Sequence, residues 1–456
     1  MFSNNKLLNY LNQFLLKGHK RTVLAKKNIA ISLLIKGISI AINILLVPLT
    51  INFVNPSQYG IWLTLSSIVI WFGYFDIGFG NGLRNKFAEA KALNKYEEAR
   101  KYVSTTYAII IIIISILWCL FFVMNSYIDW TKILNTSIEL KSELSRLALI
   151  VFSFFCLQMV FKIINTVIVA DQKPAVAAIL NLLGQILTLL LIFILLKTTN
   201  EGTLIYLSLA LGFSPVIILF ISSLYLYSDK YKFCRPSIKY VDFSCIKEIL
   251  NVGISFFVIQ IAVIFVYETN NIIIAQVGSP KDVTIFNIAY KYLSISFMVF
   301  SIIMSPFWSA FTDAYSKKEY DWMKRTVKKL RYISYILISS LIFLLFLAKH
   351  VYPIWIGDSV RIPFTITLVV SIYVAILIVL GANNQILNGI GKIRVQILTY
   401  SFAAIFHIPL SLYLGKRYGT EGVLFSAIIF FSIICLFSIR QVNLLVNKRA
   451  KGIWDK

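Results

Sequence analysis

Sorted into apolar and polar positions, the chain is a succession of long apolar runs separated by short, mostly basic segments. Runs such as Ala108 to Met124 and Ile333 to Ala348 hold no charged residue. With their flanks they reach the roughly 20 residues that a helix needs to cross a hydrocarbon core. Apolar residues do not alternate with polar ones in these runs, so lipid-facing strands are excluded. The pattern predicts an all-α polytopic membrane protein with about twelve transmembrane helices. Six are expected at 28–53, 58–80, 103–124, 144–170, 174–197 and 203–227, and six more at 249–275, 283–306, 330–351, 361–383, 392–414 and 421–446. The polar, Pro-containing stretch 228–248 reads as a linker and hinge between two six-helix lobes, 28–227 and 249–446. A basic tail, 447–456, follows. In the leading segment 1–27, Leu7, Leu11, Phe14 and Leu15 recur at helical spacing among Lys6, Lys17, Lys20 and Arg21. That spacing suits an interfacial helix on the inner leaflet; a disordered tail fits the same residues.

Composition supports this reading and narrows it. Of 456 residues, 58% are hydrophobic and only 14% charged, against about 25% charged in soluble proteins. The net charge of +24 sits at helix ends rather than in a compact polar domain. It therefore reads as a topology signal and not as a nucleic-acid surface. With both termini inside, about 34 of the 44 Lys and Arg fall on the cytoplasmic side, as the positive-inside rule requires. The five cysteines show neither C-x-x-C nor a disulfide framework, and no secretory signal is visible. On the outer side the longest loop, around Asn125 to Glu143, is about 20 residues. There is no room there for a catalytic domain, and no P-loop, G-x-G-x-x-G or H-E-x-x-H occurs.

One stretch organises the rest. At Trp71 to Val103, WFGYFDIGFGNGLRNKFAEAKALNKYEEARKYV, an apolar run gives way to a basic amphipathic segment carrying Arg84, Lys86, Lys91, Lys95, Arg100 and Lys101. A second copy lies downstream. Glu89 to Val103 aligns without gaps on Asp313 to Val327, pairing Ala90 with Ala314, Tyr96 with Tyr320 and Val103 with Val327, while Phe87 falls opposite Phe311. Glu201-Gly202 and Glu421-Gly422 match at nearly the same offset, so the chain reads as two repeats in parallel orientation. The string FDIGFGNGLRNKFAEA, with ARKYVSTTYA after it, resembles the second-helix boundary of polysaccharide flippases, the Wzx-type O-antigen translocases of the MOP (MATE-like) superfamily.

Ionisable residues inside apolar runs are expensive and so are candidates for transport. Lys36 reads equally as a lysine snorkelling to the inner interface or as a cavity cation. Lys162, late in the fourth span, admits the same two readings. Lys291 and Glu268 stand at comparable depth in adjacent spans; an ion pair between them competes with a substrate or coupling role. Asp76 lies two turns before Arg84 at the inner end of the second span. Gly73, Gly78, Gly80 and Gly82 permit close helix approach or bending. His407 suits a satisfied polar contact better than a proton carrier. Tyr267, Tyr290 and Tyr292 are aromatic candidates for stacking on sugar rings.

The resemblance implies a transporter and not an enzyme. It implies a flippase that moves an undecaprenyl-pyrophosphate-linked oligosaccharide, an O-antigen or other surface polysaccharide repeat unit, from inner to outer leaflet of the bacterial inner membrane. Ion-coupled alternating access, driven by an H⁺ or Na⁺ gradient and without a cofactor, is the implied mechanism. Lys36, Lys291, Arg84 and Lys162 are then the expected substrate contacts, and Asp76 and Glu268 the coupling or gating carboxylates. Implied partners are the lipid-linked oligosaccharide, the bilayer and other polysaccharide assembly proteins; nucleic acid is not among them. The rivals are a multidrug or organic-cation exporter of the same superfamily and a membrane-embedded polysaccharide polymerase or ligase. Against the first, span one offers Lys36 and no carboxylate. Against the second stand the short outer loops.

Overall fold

The computed structural model describes residues 20–73, 79–171, 173–199, 201–250, 267–304 and 307–455. Among these residues every regular element is helical, and nine helices are long and apolar enough to span a bilayer. The first half comprises α1 (Lys20–Val54), α2 (Pro56–Phe72), α3 (Phe79–Ala92), α4 (Tyr96–Asn125), α5 (Lys141–Phe161), α6 (Ile163–Ala170), α7 (Pro174–Thr198) and α8 (Leu204–Ser228). The second comprises α9 (Thr269–Val277), α10 (Pro280–Met304), α11 (Phe307–Ser316), α12 (Tyr320–Ile356), α13 (Phe364–Ile390) and α14 (Arg394–Val446).

Two of the expected spans are redrawn by the structure. The second does not run as one helix from 58 to 80: α2 stops at Phe72 and the basic amphipathic residues form a separate helix, α3. The fourth continues from α5 into α6 through a single turn residue, Lys162, whose backbone stays in the helical region, and Ile138–Ala170 forms one span as expected. The basic residues Lys324, Arg325, Lys328 and Lys329, expected to lie before the ninth span, are inside α12, because Lys and Arg are good helix formers and continue the apolar run. Spans eleven and twelve, within the stretch α14, are two helices as expected, separated at Gly419, whose φ of 62° and ψ of −143° lie outside the helical region. Of the expected seventh span, residues 251–266 lie outside the described residues.

The repeat is visible in burial and backbone alike. Phe87 and Phe311 are both fully buried, as are the pairs Ala90 with Ala314 and Val103 with Val327. Asn94 and Lys318 both take φ of 60°, in the left-handed region. The following amides close the same turn: Lys95 N–H reaches Ala90 O at 2.9 Å and Glu319 N–H reaches Ala314 O at 2.8 Å. Tyr96 and Tyr320 then begin α4 and α12. Pro56 and Pro280, separated by the same interval, open α2 and α10, where a missing N–H costs nothing.

Two ends of the bundle are distinguishable. One carries the turns at Asn55 and Ser279 and the loops 126–140 and 357–363; the other carries the basic segments and residues 229–245. The buried core is divided unevenly between them. Phe79, Phe87, Val103, Ile164, Cys234 and their neighbours form a core belonging to the first half. At the turn end, however, Ile42 to Tyr59, Ile192, Leu207 and Ala210 from the first half join one continuous core with the second half. The halves are thus fused at the turn end.

Residues 229–245, the expected hinge, wrap the first half through three short 3-10 turns. Thr105 Oγ1 accepts from Asp242 N–H, Ser104 Oγ from Ser237 N–H, and Arg100 Nε donates to Arg235 O. A Cβ on Gly82 would lie 2.0 Å from Ile249 O. The segment is therefore seated on the first half up to the short helix Ile246–Leu250.

Candidate functional site: the seam between the halves

The fused end is built by α2 packing on α9 and α10. Thr284 Oγ1 donates to Pro56 O at 2.6 Å. A Cβ on Gly60 would fall 1.6 Å from Pro280 O, so the approach of the two repeat-related N-termini requires glycine there. Deeper along the helices, Lys291 Nζ donates to Tyr59 OH at 2.8 Å. Asn271 Nδ2 donates to Ser67 Oγ at 2.7 Å, and Asn271 Oδ1 accepts from Asn287 Nδ2 at 2.8 Å. All but the last, which links α9 and α10 within the second half, satisfy a polar side chain by crossing from one half to the other, which is what the membrane interior demands of such groups.

Above the seam, two helix ends cap each other. The short helix Trp130–Leu134 ends at Asn135, in the left-handed conformation that Asn tolerates. Asn135 Nδ2 donates to Ala275 O at 3.0 Å and Gly278 O at 2.8 Å, the orphan carbonyls at the end of α9. In return Gln276 Nε2 donates to Lys132 O at 2.5 Å and Ile133 O at 2.6 Å, the orphan carbonyls of the short helix. A third crossing has a covalent cause. Pro48 lacks the N–H that would bond Ile44 O in α1; Trp355 Nε1, from the end of α12, donates to that oxygen at 2.9 Å.

The basic end is held differently. Asp171, nearly buried, takes Lys91, Lys173 and the Tyr231 hydroxyl together, joining α3, the start of α7 and the segment after α8. Burial, and then the neighbouring Lys173, hold the Lys91 pKa below its ordinary value. Tyr102 OH donates to Glu248, which also pairs with Lys86. In the second half Lys392 meets Asp455, and Lys448 lies over the Tyr320 ring.

The sequence-expected residues are dispersed over this frame. Lys291 sits at the seam, where its partner is Tyr59. Glu268 is half-buried just before α9, beside Tyr290 and Tyr373. Lys36 is exposed on α1, on the face that also carries Asn43 and, a turn on, Ser39, which is bonded to Gln185. Arg84 is exposed on α3. Lys162, between α5 and α6, lines a small cleft with Gly73, Gly80, Thr106 and Thr166. Asp76 and Gly78 lie outside the described residues. His407 is fully buried between Ser426 and Asn270, a satisfied contact as expected. Tyr292 is not available for a sugar: it is buried, donating to Leu344 O. Among the described residues no three of His, Cys, Asp or Glu converge as metal ligands.

Asn135, Gln276, Gly60, Tyr59, Asn271 and Trp355 were not expected from the sequence. The interval that pairs Ala90 with Ala314 also pairs Pro56 with Pro280, and Pro48 leaves a carbonyl to be satisfied; both signals were there to read.

Two parallel repeats of membrane-spanning helices, joined at one end across a polar seam, give a multi-pass membrane protein with the MATE fold. The fold matches an inward-facing multidrug-resistance MATE transporter of the MOP superfamily with a TM-score of 0.74, at 13% identity over 92% of this chain and all of the other. It matches an outward-facing multidrug-resistance MATE transporter of the MOP superfamily with a TM-score of 0.63, at 14% identity over 96% of this chain and 98% of the other. The chain belongs to the polysaccharide biosynthesis protein family, which matches residues 25–311. It is 22% identical over 426 residues to a Salmonella typhi protein assigned as an O-antigen transporter, covering 92% of this chain and 96% of that one. A Yersinia pseudotuberculosis protein assigned to O-antigen export is 20% identical over 398 residues, 85% and 88% of the two chains.

Proposed function

We propose that this transporter flips a polyprenyl-pyrophosphate-linked oligosaccharide, of the O-antigen or surface-polysaccharide class, from the inner to the outer leaflet of the bacterial inner membrane. An anionic, sugar-bearing head cannot cross hydrocarbon unaided, whereas its polyprenyl tail can stay in lipid. Two rigid halves that open alternately solve that problem. The family and the O-antigen assignments of its relatives support the substrate class. The observation that carries the mechanism is the seam: the halves share a core and cross-half hydrogen bonds at one end. Positive-inside bias makes that end the outer one, with both termini cytoplasmic and lobes 28–227 and 249–446 rocking about it.

In this reading Lys291 at the seam and Lys36 on the polar face of α1 meet the pyrophosphate, with Arg84 and Lys162 as further cationic contacts. Glu268 and Asp76 couple opening to an H⁺ or Na⁺ gradient. The test is mass spectrometry of polyprenyl-linked oligosaccharides in cells with and without the protein, combined with a membrane-impermeant glycosidase on spheroplasts. Loss of the protein, or Lys291→Gln, should leave intermediates protected. Intermediates that stay exposed and unchanged would refute the proposal.

A further inference from the structure

The second half presents a surface that transport of a sugar-bearing substrate does not use. Along α12, Lys324, Lys328, Arg331, Tyr335, Ile342 and Phe346 fall within about 60° of one another around the helix axis, at about 100° per residue. That single face runs from cations through an aromatic ring to bare aliphatic and aromatic side chains. Lys324, Lys328, Tyr335, Ile342 and Phe346 are all exposed. The order is headgroup, interface and acyl region of one leaflet.

Arg331 stands where the change occurs, and it differs from its neighbours. It is half-buried, at the mouth of a mostly apolar groove between α12 and the facing sides of α13 and α14, lined by Leu330, Ala382, Ile386 and Ile439 together with Ser334 and Asn383, which bond the carbonyls of their own helices. Its Nη2 donates to Asn443 Oδ1 at 2.6 Å. Asn443 is neutral, so it fixes the guanidinium in place without cancelling its charge. Asp455, a carboxylate at this end, pairs with Lys392. A planar guanidinium held at the lipid interface, with donors to spare and an apolar groove beneath, suits a phosphodiester with an acyl chain attached.

We propose that this groove is a binding site for an anionic phospholipid of the inner leaflet, with Arg331 and Lys328 on the phosphate and one acyl chain along Ala382, Ile386 and Ile439. The site is independent of the substrate reading, because it lies on a lipid-facing side of the second half.

The test uses the full-length protein in detergent and native mass spectrometry with added phosphatidylglycerol or phosphatidylcholine. Phosphatidylglycerol should be retained at least tenfold more than phosphatidylcholine, and Arg331→Gln should abolish that preference. Lys328→Gln, a change at an exposed position that leaves packing alone, should weaken it severalfold. Equal retention of the two lipids, or an unchanged preference in both variants, would overturn the proposal. So would full displacement of phosphatidylglycerol by equimolar glycerol phosphate, which would reduce the groove to a plain phosphate contact.

Discussion

Gly60→Ala isolates the seam from everything else the residue does. In the closed arrangement the new methyl would start 1.6 Å from Pro280 O, against the 3.4 Å at which ordinary contact begins. The turn at Pro280 and α2 must therefore separate by nearly 2 Å. Overpacking of this kind costs about 1–3 kcal/mol. The cost applies only where the halves are fused, so the closed-to-open ratio at this end should fall by about 5- to 150-fold. Helix propensity works in the opposite direction, since Ala in place of Gly favours a helix by about 0.5–1 kcal/mol. That gain is the same in both states and cancels in the ratio. Thermal stability should thus hold or rise while the closed population shrinks, a combination that general damage to α2 does not produce. The assay is pulsed electron paramagnetic resonance between spin labels at Tyr127→Cys and Lys281→Cys, exposed positions on opposite halves at the turn end, in a protein whose native cysteines are replaced. A longer-distance population should grow in Gly60→Ala. An unchanged distance distribution would refute the claim that this contact holds the end shut.

Other consequences follow from the same contacts. Removing either cap, Asn135→Ala or Gln276→Ala, leaves orphan carbonyls in the closed state and should shift the same distance distribution outward, by about 1–2 kcal/mol each; no shift would assign the caps to loop folding alone. Trp355→Phe strips Ile44 O of its donor and should cost about 1–3 kcal/mol in thermal unfolding, while adding Pro48→Ala restores a helical N–H and should recover most of it. A double variant no better than Trp355→Phe would show that the proline does not create the demand. Asp171→Asn removes the carboxylate shared by Lys91 and Lys173; since both lysines are about one-third exposed, the expected loss is about 1–2 kcal/mol, read by denaturation, and Asp171→Glu should keep more of it.

The spans and the basic end were legible in the sequence because hydrocarbon imposes length and forbids charge, and both constraints are local. The repeat was legible at Phe87 and Phe311 because equivalent turns reuse the same buried positions. The reach of α12 back to Tyr320 was not, since a run of Lys and Arg marks a membrane boundary without ending the helix. The seam was hidden for a different reason. Asn135 with Ala275, Tyr59 with Lys291 and Ile44 with Trp355 pair across 140 to 311 residues, and nothing in either local pattern names its partner. Lys36, Arg84 and Lys162 stood out as charges in or beside apolar runs, yet the residues that join the halves are mostly uncharged amides, hydroxyls and a glycine, which any apolar helix tolerates.

The most direct test of the account is flipping by the purified protein in sealed proteoliposomes holding a polyprenyl-pyrophosphate-linked oligosaccharide in both leaflets. An impermeant glycosidase outside should consume only the outer-leaflet pool in protein-free vesicles and nearly all of it when the protein is present. Lys291→Gln should slow the second phase. Digestion that stops at the outer pool with wild-type protein, under an imposed H⁺ or Na⁺ gradient of either direction, would contradict the assignment.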